Sequence, residues 1–248
     1  MHARLFLAMM AAVPVAVIGV AIAPMASASP AVTVYPGMEI RQGSRLCTLG
    51  FVDPDARAAF TAGHCRGDGP VTDKAGNVIG AMALFDDNTP DGATVTGDHQ
   101  IADWGAITLA DGVQINPVLP GGRALVIDQA LGVQQPGQQV CHFGVITGES
   151  CGTVAAVNNG WFTMGSGVVS QKGDSGGPVY TLTQDGRAVI VGLFNSTWGG
   201  APTAVSWQST GQRIREAVAT QPASSNTGIK AAISFTSNSV EEGVSPPE

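Results

Sequence analysis

The stretch QKGDSGGPVY (Gln171–Tyr180) sets Ser175 among three glycines, directly after the acid Asp174 and just before an apolar run. A serine in a glycine loop is usually only part of a turn, so its meaning depends on partners elsewhere in the chain. FTAGHC (Phe60–Cys65) supplies one, because His64 ends an apolar strand beside a cysteine. IADWGAITL (Ile101–Leu109) supplies a second: Asp103 heads an apolar strand, and a buried acid needs a partner. Serine attack on an acyl carbon requires a base to take the hydroxyl proton and an acid to fix the tautomer of that base. His64, Asp103 and Ser175 offer these roles. The glycines give the turn a second purpose, since the amides of Gly173 and Ser175 can point at a developing oxyanion where no side chain intrudes.

The N-terminus addresses compartment. Arg4 precedes an almost wholly apolar run from Leu5 to Ala23, and MASAS supplies the small residues of a cleavage site, with cutting expected after Ala28. A membrane anchor is the rival for residues 1–28, but Pro14, Pro24 and the small-residue exit favour cleavage. The expected product is a secreted, extracellular or envelope-associated monomer with no membrane span. Cys47, Cys65, Cys141 and Cys151 suit an oxidising compartment. Three connectivities are open, and the nearest-neighbour bridges Cys47–Cys65 and Cys141–Cys151 are the most economical. A four-thiolate zinc site is disfavoured by the spacing within the pairs. The net charge of −7 argues against nucleic acid or an anionic membrane as partner.

Short apolar runs recur between Gly, Pro, Asn and Asp turns. Strands are expected at 45–52, 58–62, 78–85, 104–109, 139–144, 151–157, 160–164, 177–183, 188–194 and 203–207. Such spacing without alternating helices predicts an all-β sandwich or closed barrels. Asn116–Gly137 reads as a link between two β units, so that one unit spans 34–120 and the other 121–221. Ile214 and Val218 fall on one face of an expected helix over 208–221, and the polar segment 222–248 reads as a mobile tail.

TAGHC and GDSGGP together resemble the two signatures of chymotrypsin-fold serine proteases, whose triad order is also His, Asp, Ser. CTLGF, ADWGAI and VCHFGVITGESCGTV bring the resemblance closest to the secreted, streptogrisin-like bacterial branch, from about Tyr35 to Gln221. The resemblance implies two six-stranded antiparallel β-barrels, a cleft between them and a C-terminal α-helix. It also implies a specificity pocket. Val169, six residues before the serine, stands where a trypsin-like pocket carries an acid, and Ser170 follows it. Asn195, Ser196 and Thr197 replace the usual SWG or SGG: Asn195 stands for a serine that supports the catalytic acid, and Thr197 narrows the entrance. Small or medium apolar side chains are therefore expected before the cleaved bond. In this branch an arginine after the first cysteine of the second pair neutralises the acid beside the nucleophile. Here His142 takes that place, so an Asp174–His142 ion pair is expected; the alternative is a neutral, hydrogen-bonding strand histidine, with Arg123 or the N-terminus paired to Asp174.

The function that follows is a serine endopeptidase acting on polypeptides. A protease-fold binding or adhesion protein is the main alternative, and a lipase or esterase lacks its GxSxG elbow. The chemistry calls for no metal or organic cofactor. Asp86, Asp87 and Asp91 lack a calcium-loop pattern and read as a surface turn, and His99 as an exposed loop residue.

Overall fold

The computed structural model describes residues 31–89 and 95–220. The expected signal peptide (1–28), Asp91 and the expected tail (222–248) lie outside the described residues. The first set of strands is β1 (Thr33–Val34), β2 (Glu39–Gln42), β3 (Arg45–Thr48), β4 (Phe51–Asp53), β5 (Ala58–Thr61), β6 (Val71–Asp73), β7 (Val78–Asp87), β8 (Asp103–Leu109) and β9 (Gln114–Ile115). The second set is β10 (Leu125–Val126), β11 (Gln139–Gly144), β12 (Gly148–Val157), β13 (Trp161–Gly165), β14 (Pro178–Leu182), β15 (Ala188–Trp198) and β16 (Ala201–Ser206), followed by α1 (Trp207–Ala219).

Both halves curl into six-stranded barrels. The first sheet runs β3-β2-β6-β7-β8-β5-β4, with every pairing antiparallel. Its two ends are consecutive in the chain, since only Leu49 and Gly50 separate β3 from β4. They act as one bent strand that joins the ring. The second ring, β15-β14-β11-β12-β13-β16, closes by hydrogen bonds because β16 pairs with both β13 and β15. The expected strand 45–52 is thus two strands with a bend. The short, polar β2 and β6 escape a search for apolar runs.

All four residues of β5 are buried, as are all of β8 except Thr108, which explains why these segments read as continuous apolar runs without alternation. Trp207, at the start of α1, joins the helix to the first barrel, with its ring centroid 5.2 Å from that of Phe51 and 5.4 Å from that of Phe60. Ile214 and Val218 turn inward from α1. The disulfides are Cys47–Cys65 and Cys141–Cys151, the economical connectivity. Among the described residues no helix is long and apolar enough to cross a membrane.

Candidate active site

His64 lies in a single 3₁₀ turn, Gly63–Cys65, that follows β5. Asp103 is the first residue of β8, which pairs with β5, so the strand ladder brings the two together. The Asp103 carboxylate is fully buried. Its Oδ2 lies 2.8 Å from His64 Nδ1, and its Oδ1 accepts from the His64 backbone N–H at 2.8 Å. An ionised carboxylate can only accept, so Nδ1 carries the proton and the Nε2 lone pair is left to face away from the acid. The third donor comes from the other barrel: Asn195 Nδ2 donates to Asp103 Oδ2 at 2.5 Å.

Asn195 reaches Asp103 through an irregularity in β15. The register with β16 shifts between Phe194 and Ser196, and this bulge lets Phe194 and Asn195 both point inward. Asn195 was expected among the pocket residues. Its side chain is instead buried against the acid, where it also meets Thr89 Oγ1 at 3.3 Å. There its amide gives the acid a side-chain donor besides His64.

Burial disfavours a charge on His64, but the hydrogen bond and charge of Asp103, aided by Asp87, outweigh burial and the opposing charge of Arg45. The net effect raises the His64 pKa above its ordinary 6.5. Ser175 and His64 border one cleft of about 520 Å³, together with Gly173, Arg45, Leu46 and Lys172. The Ser175 hydroxyl donates to the Asn195 carbonyl at 3.5 Å, and among the described residues no hydrogen bond joins it to His64.

The turn before Ser175 is pinned on both sides. Thr48 Oγ1 donates to the Gly173 carbonyl at 2.9 Å, and the Asp174 carbonyl accepts from Gly177 N–H at 2.9 Å. A trans peptide plane then directs the Ser175 N–H away from the body of the turn. Gly173 has φ +106°, where a side chain is strained, and a Cβ there would crowd Ile146 Cγ1 at 2.8 Å, so glycine is favoured. Neither the Gly173 nor the Ser175 amide meets an acceptor among the described residues. Two unpaired amides at a serine are suited to receive an oxyanion.

Asp174 is fully buried, and its partners differ from those expected. Oδ1 accepts from the amides of Ile146 (2.9 Å) and Thr147 (3.3 Å). Oδ2 accepts from Thr147 Oγ1 (2.8 Å) and the Gln171 amide (2.7 Å). Four donors fill the lone pairs, and no ion pair to Asp174 occurs among the described residues. The expected Asp174–His142 ion pair is therefore corrected: neutral donors of the β11–β12 loop and of the turn before Ser175 take the place of a cation. Arg123, the alternative, pairs with Glu149 at 3.0 Å. Gly144 makes room for the arrangement, because a Cβ there would lie 2.1 Å from Asp174 Cγ.

His142 is fully buried, stacks on Phe194 at 4.7 Å between centroids, and finds no hydrogen-bond partner for either ring nitrogen. Burial, against the opposing pull of the Asp174 charge and the Pro178 carbonyl, takes its pKa down to about 4. It is a neutral packing residue. Val169 is half-exposed, and Ser170 Oγ lies 3.2 Å from Thr197 Oγ1. Ser196 stands between Asn195 and Thr197 on β15. Thr48 and the Asp174 donors had little signal in the sequence: the former is one threonine in CTLGF, and three of the latter are backbone amides.

The sign of the His142 titration follows. Unfolded chains bind its proton near pH 6.5 and the fold only near 4. Between these values the unfolded state holds more protons, so this contribution is complete above 6.5 and fades as pH falls. The urea midpoint of the wild type should drop more steeply between pH 7 and 4.5 than that of His142→Phe, by up to about 3 kcal/mol of differential stability. His64 titrates with the opposite sign in both proteins and cancels from the comparison. Equal slopes would refute the neutral burial of His142.

No family model matches the chain. Two relatives from strains of Mycobacterium tuberculosis, each named only as an uncharacterized protein, are 54% identical over 211 residues, spanning 85% of this chain and 95% of their own length. Among solved structures it is similar to the scabies mite inactivated protease paralogues S-D1 (14% identity, TM-score 0.52, 74% of this chain and 93% of that one) and S-I1 (13%, 0.51, 74% and 94%). It is also similar to Thermobifida fusca protease A (22% identity, TM-score 0.49, 71% of this chain and 91% of that one). The likeness to the mite paralogues agrees with the strand order in giving a chymotrypsin-like double barrel, and the chain belongs to the family of the uncharacterized mycobacterial proteins.

Proposed function

We propose that this protein is a secreted serine endopeptidase, matured by removal of residues 1–28, that cleaves polypeptides through an acyl-enzyme on Ser175. The observation that carries the proposal is the buried Asp103 locking His64 by Nδ1 at 2.8 Å while His64 and Ser175 border the same cleft. In the proposed cycle His64 Nε2 takes the Ser175 hydroxyl proton as Oγ bonds to the scissile carbonyl carbon. The carbonyl oxygen gains the negative charge and rests on the amides of Gly173 and Ser175. His64 returns the proton to the departing amine as the C–N bond breaks. Water, deprotonated by His64, then releases the acid and restores Ser175. The His64–Ser175 hydrogen bond is proposed to form on substrate binding, since in unliganded sites catalytic hydrogen bonds are often long or poorly aligned and tighten only in the complex. Two disulfides support an oxidising destination.

The acyl-side pocket is proposed to lie between Val169–Ser170 and Ser196–Thr197. Ser170 Oγ and Thr197 Oγ1, 3.2 Å apart, would bridge its entrance, so a side chain entering it must part this pair. Small apolar residues such as alanine are favoured. The same bridge, with the Ser175 hydroxyl turned to Asn195, favours the second proposal, a protease fold that binds polypeptides without cleaving them.

Fluorophosphonate labelling and peptide hydrolysis decide between them. Wild type should be labelled once, at Ser175, and Ser175→Ala should lose labelling and several decades of turnover with its fold intact. Because His64 must be neutral and its pKa is raised, kcat/KM should fall as pH drops through a value above 6.5. An unlabelled wild type, or an alanine variant that keeps most of the activity, would remove the proposal.

A library profile tests the pocket. Alanine should lead before the cleaved bond in the wild type, and Thr197→Gly should extend acceptance to larger apolar side chains. Cleavage dominated by Lys or Arg, or an unchanged profile in the glycine variant, would contradict the proposed entrance.

A further inference from the structure

The cleft that Ser175 and His64 border shares no lining residue with the proposed acyl pocket. Val169, Ser170, Ser196 and Thr197 do not border it, whereas Leu46, the Cys47 end of the first disulfide and Ile146 form its apolar walls. A peptide bound across Ser175 with its acyl side chain toward Thr197, as proposed above, would lay its leaving segment here. Two side chains give this wall its charge. Arg45, the first residue of β3, and Lys172, directly before Gly173, both border the cleft, and both are exposed. Neither forms an ion pair among the described residues, and no Asp or Glu borders the cleft. Arg45 is close enough for its charge to act on His64. Two cations without an ion-pair partner at one cleft stand out in a chain of net charge −7.

We propose that Arg45 and Lys172 form a subsite for acidic side chains on the leaving-group side of the cleaved bond, so that the preferred substrates are polypeptides with Asp or Glu directly after that bond. The inference rests on the proposed direction of binding across Ser175. Its chemistry is simple. A carboxylate entering the cleft meets a bidentate guanidinium donor and an ammonium, and displaces no resident acid. The apolar floor takes the methylene stem. The gain is modest because both cations are exposed, and salt must weaken it.

The test reads binding separately from turnover. Ser175→Ala protein is titrated with a fluorescent peptide carrying alanine before the bond and two glutamates after it, and with a twin carrying two glutamines. The glutamate peptide should bind about fivefold more tightly at low salt. The advantage should shrink toward parity near 1 M salt, where the screening length is about 3 Å. Substituting Arg45→Gln and Lys172→Gln together should make the twins bind alike, and both positions are exposed, so near-ultraviolet circular dichroism should report an unchanged fold. Equal affinity of the twins at low salt, no binding of the glutamate peptide, or a preference that survives both substitutions would overturn the subsite. Turnover by the Ser175 protein is a separate result: a glutamate preference without hydrolysis would sink the endopeptidase proposal and leave an acidic-peptide groove.

Discussion

The carboxylate of Asp103 is fully buried, and the architecture of the site follows from keeping it satisfied. Its donors come from both barrels: His64 gives its ring and backbone N–H from the turn after β5, and Asn195 gives its amide from β15. Stripping one partner from a buried charge costs about 3–5 kcal/mol, which makes the barrel interface intolerant of slippage. The β15 bulge belongs to this constraint, since without it Asn195 would alternate away from the acid. The same contacts raise the His64 pKa and fix its tautomer, so the bonds that satisfy the buried acid also set the state of the imidazole.

Asp174 poses the same problem and is solved by other means. Its four donors are amides and a hydroxyl, held by a hairpin loop and by the turn before Ser175. Neutral dipoles suffice because they are fixed by the fold and lose little on being aimed at the acid. His142 is thereby released from any duty as a counter-ion, and the stack against Phe194 keeps it uncharged. The two histidines on either side of the turn are driven in opposite directions, one by a hydrogen-bonded acid and the other by dry packing. Thr48 links the two solutions: it holds the Gly173 carbonyl with its hydroxyl and the Ser175 carbonyl with its amide, across the barrel boundary.

Much of this was legible in the sequence because apolar runs and polar interruptions map directly onto strands and sites. His64 and Asp103 stand out as polar residues at the ends of buried strands, and Ser175 as a serine in a turn built of glycine. Four cysteines in two close pairs made the disulfides the simplest choice, and the double barrel followed from the resemblance carried by TAGHC and GDSGGP. The short strands β2 and β6 were hidden because EIRQ and VTD carry too little apolar content to stand out. The Asn195 bulge was hidden because a register shift leaves no mark on composition. Most of the partners of Asp174 were invisible for a deeper reason: a backbone amide is present at nearly every residue, so only the fold decides which of them converge.

The central claim is that Asp103 holds His64 as a neutral, correctly oriented base, and proton NMR of the imidazole reads this bond directly. A far-downfield Nδ1–H resonance should be present, should titrate with a midpoint above 6.5, and should be lost or moved strongly upfield in Asp103→Ala while the fold persists. A His64 signal that titrates at or below 6.5 without a downfield N–H, in a protein whose disulfides and near-ultraviolet spectrum are intact, would contradict the account.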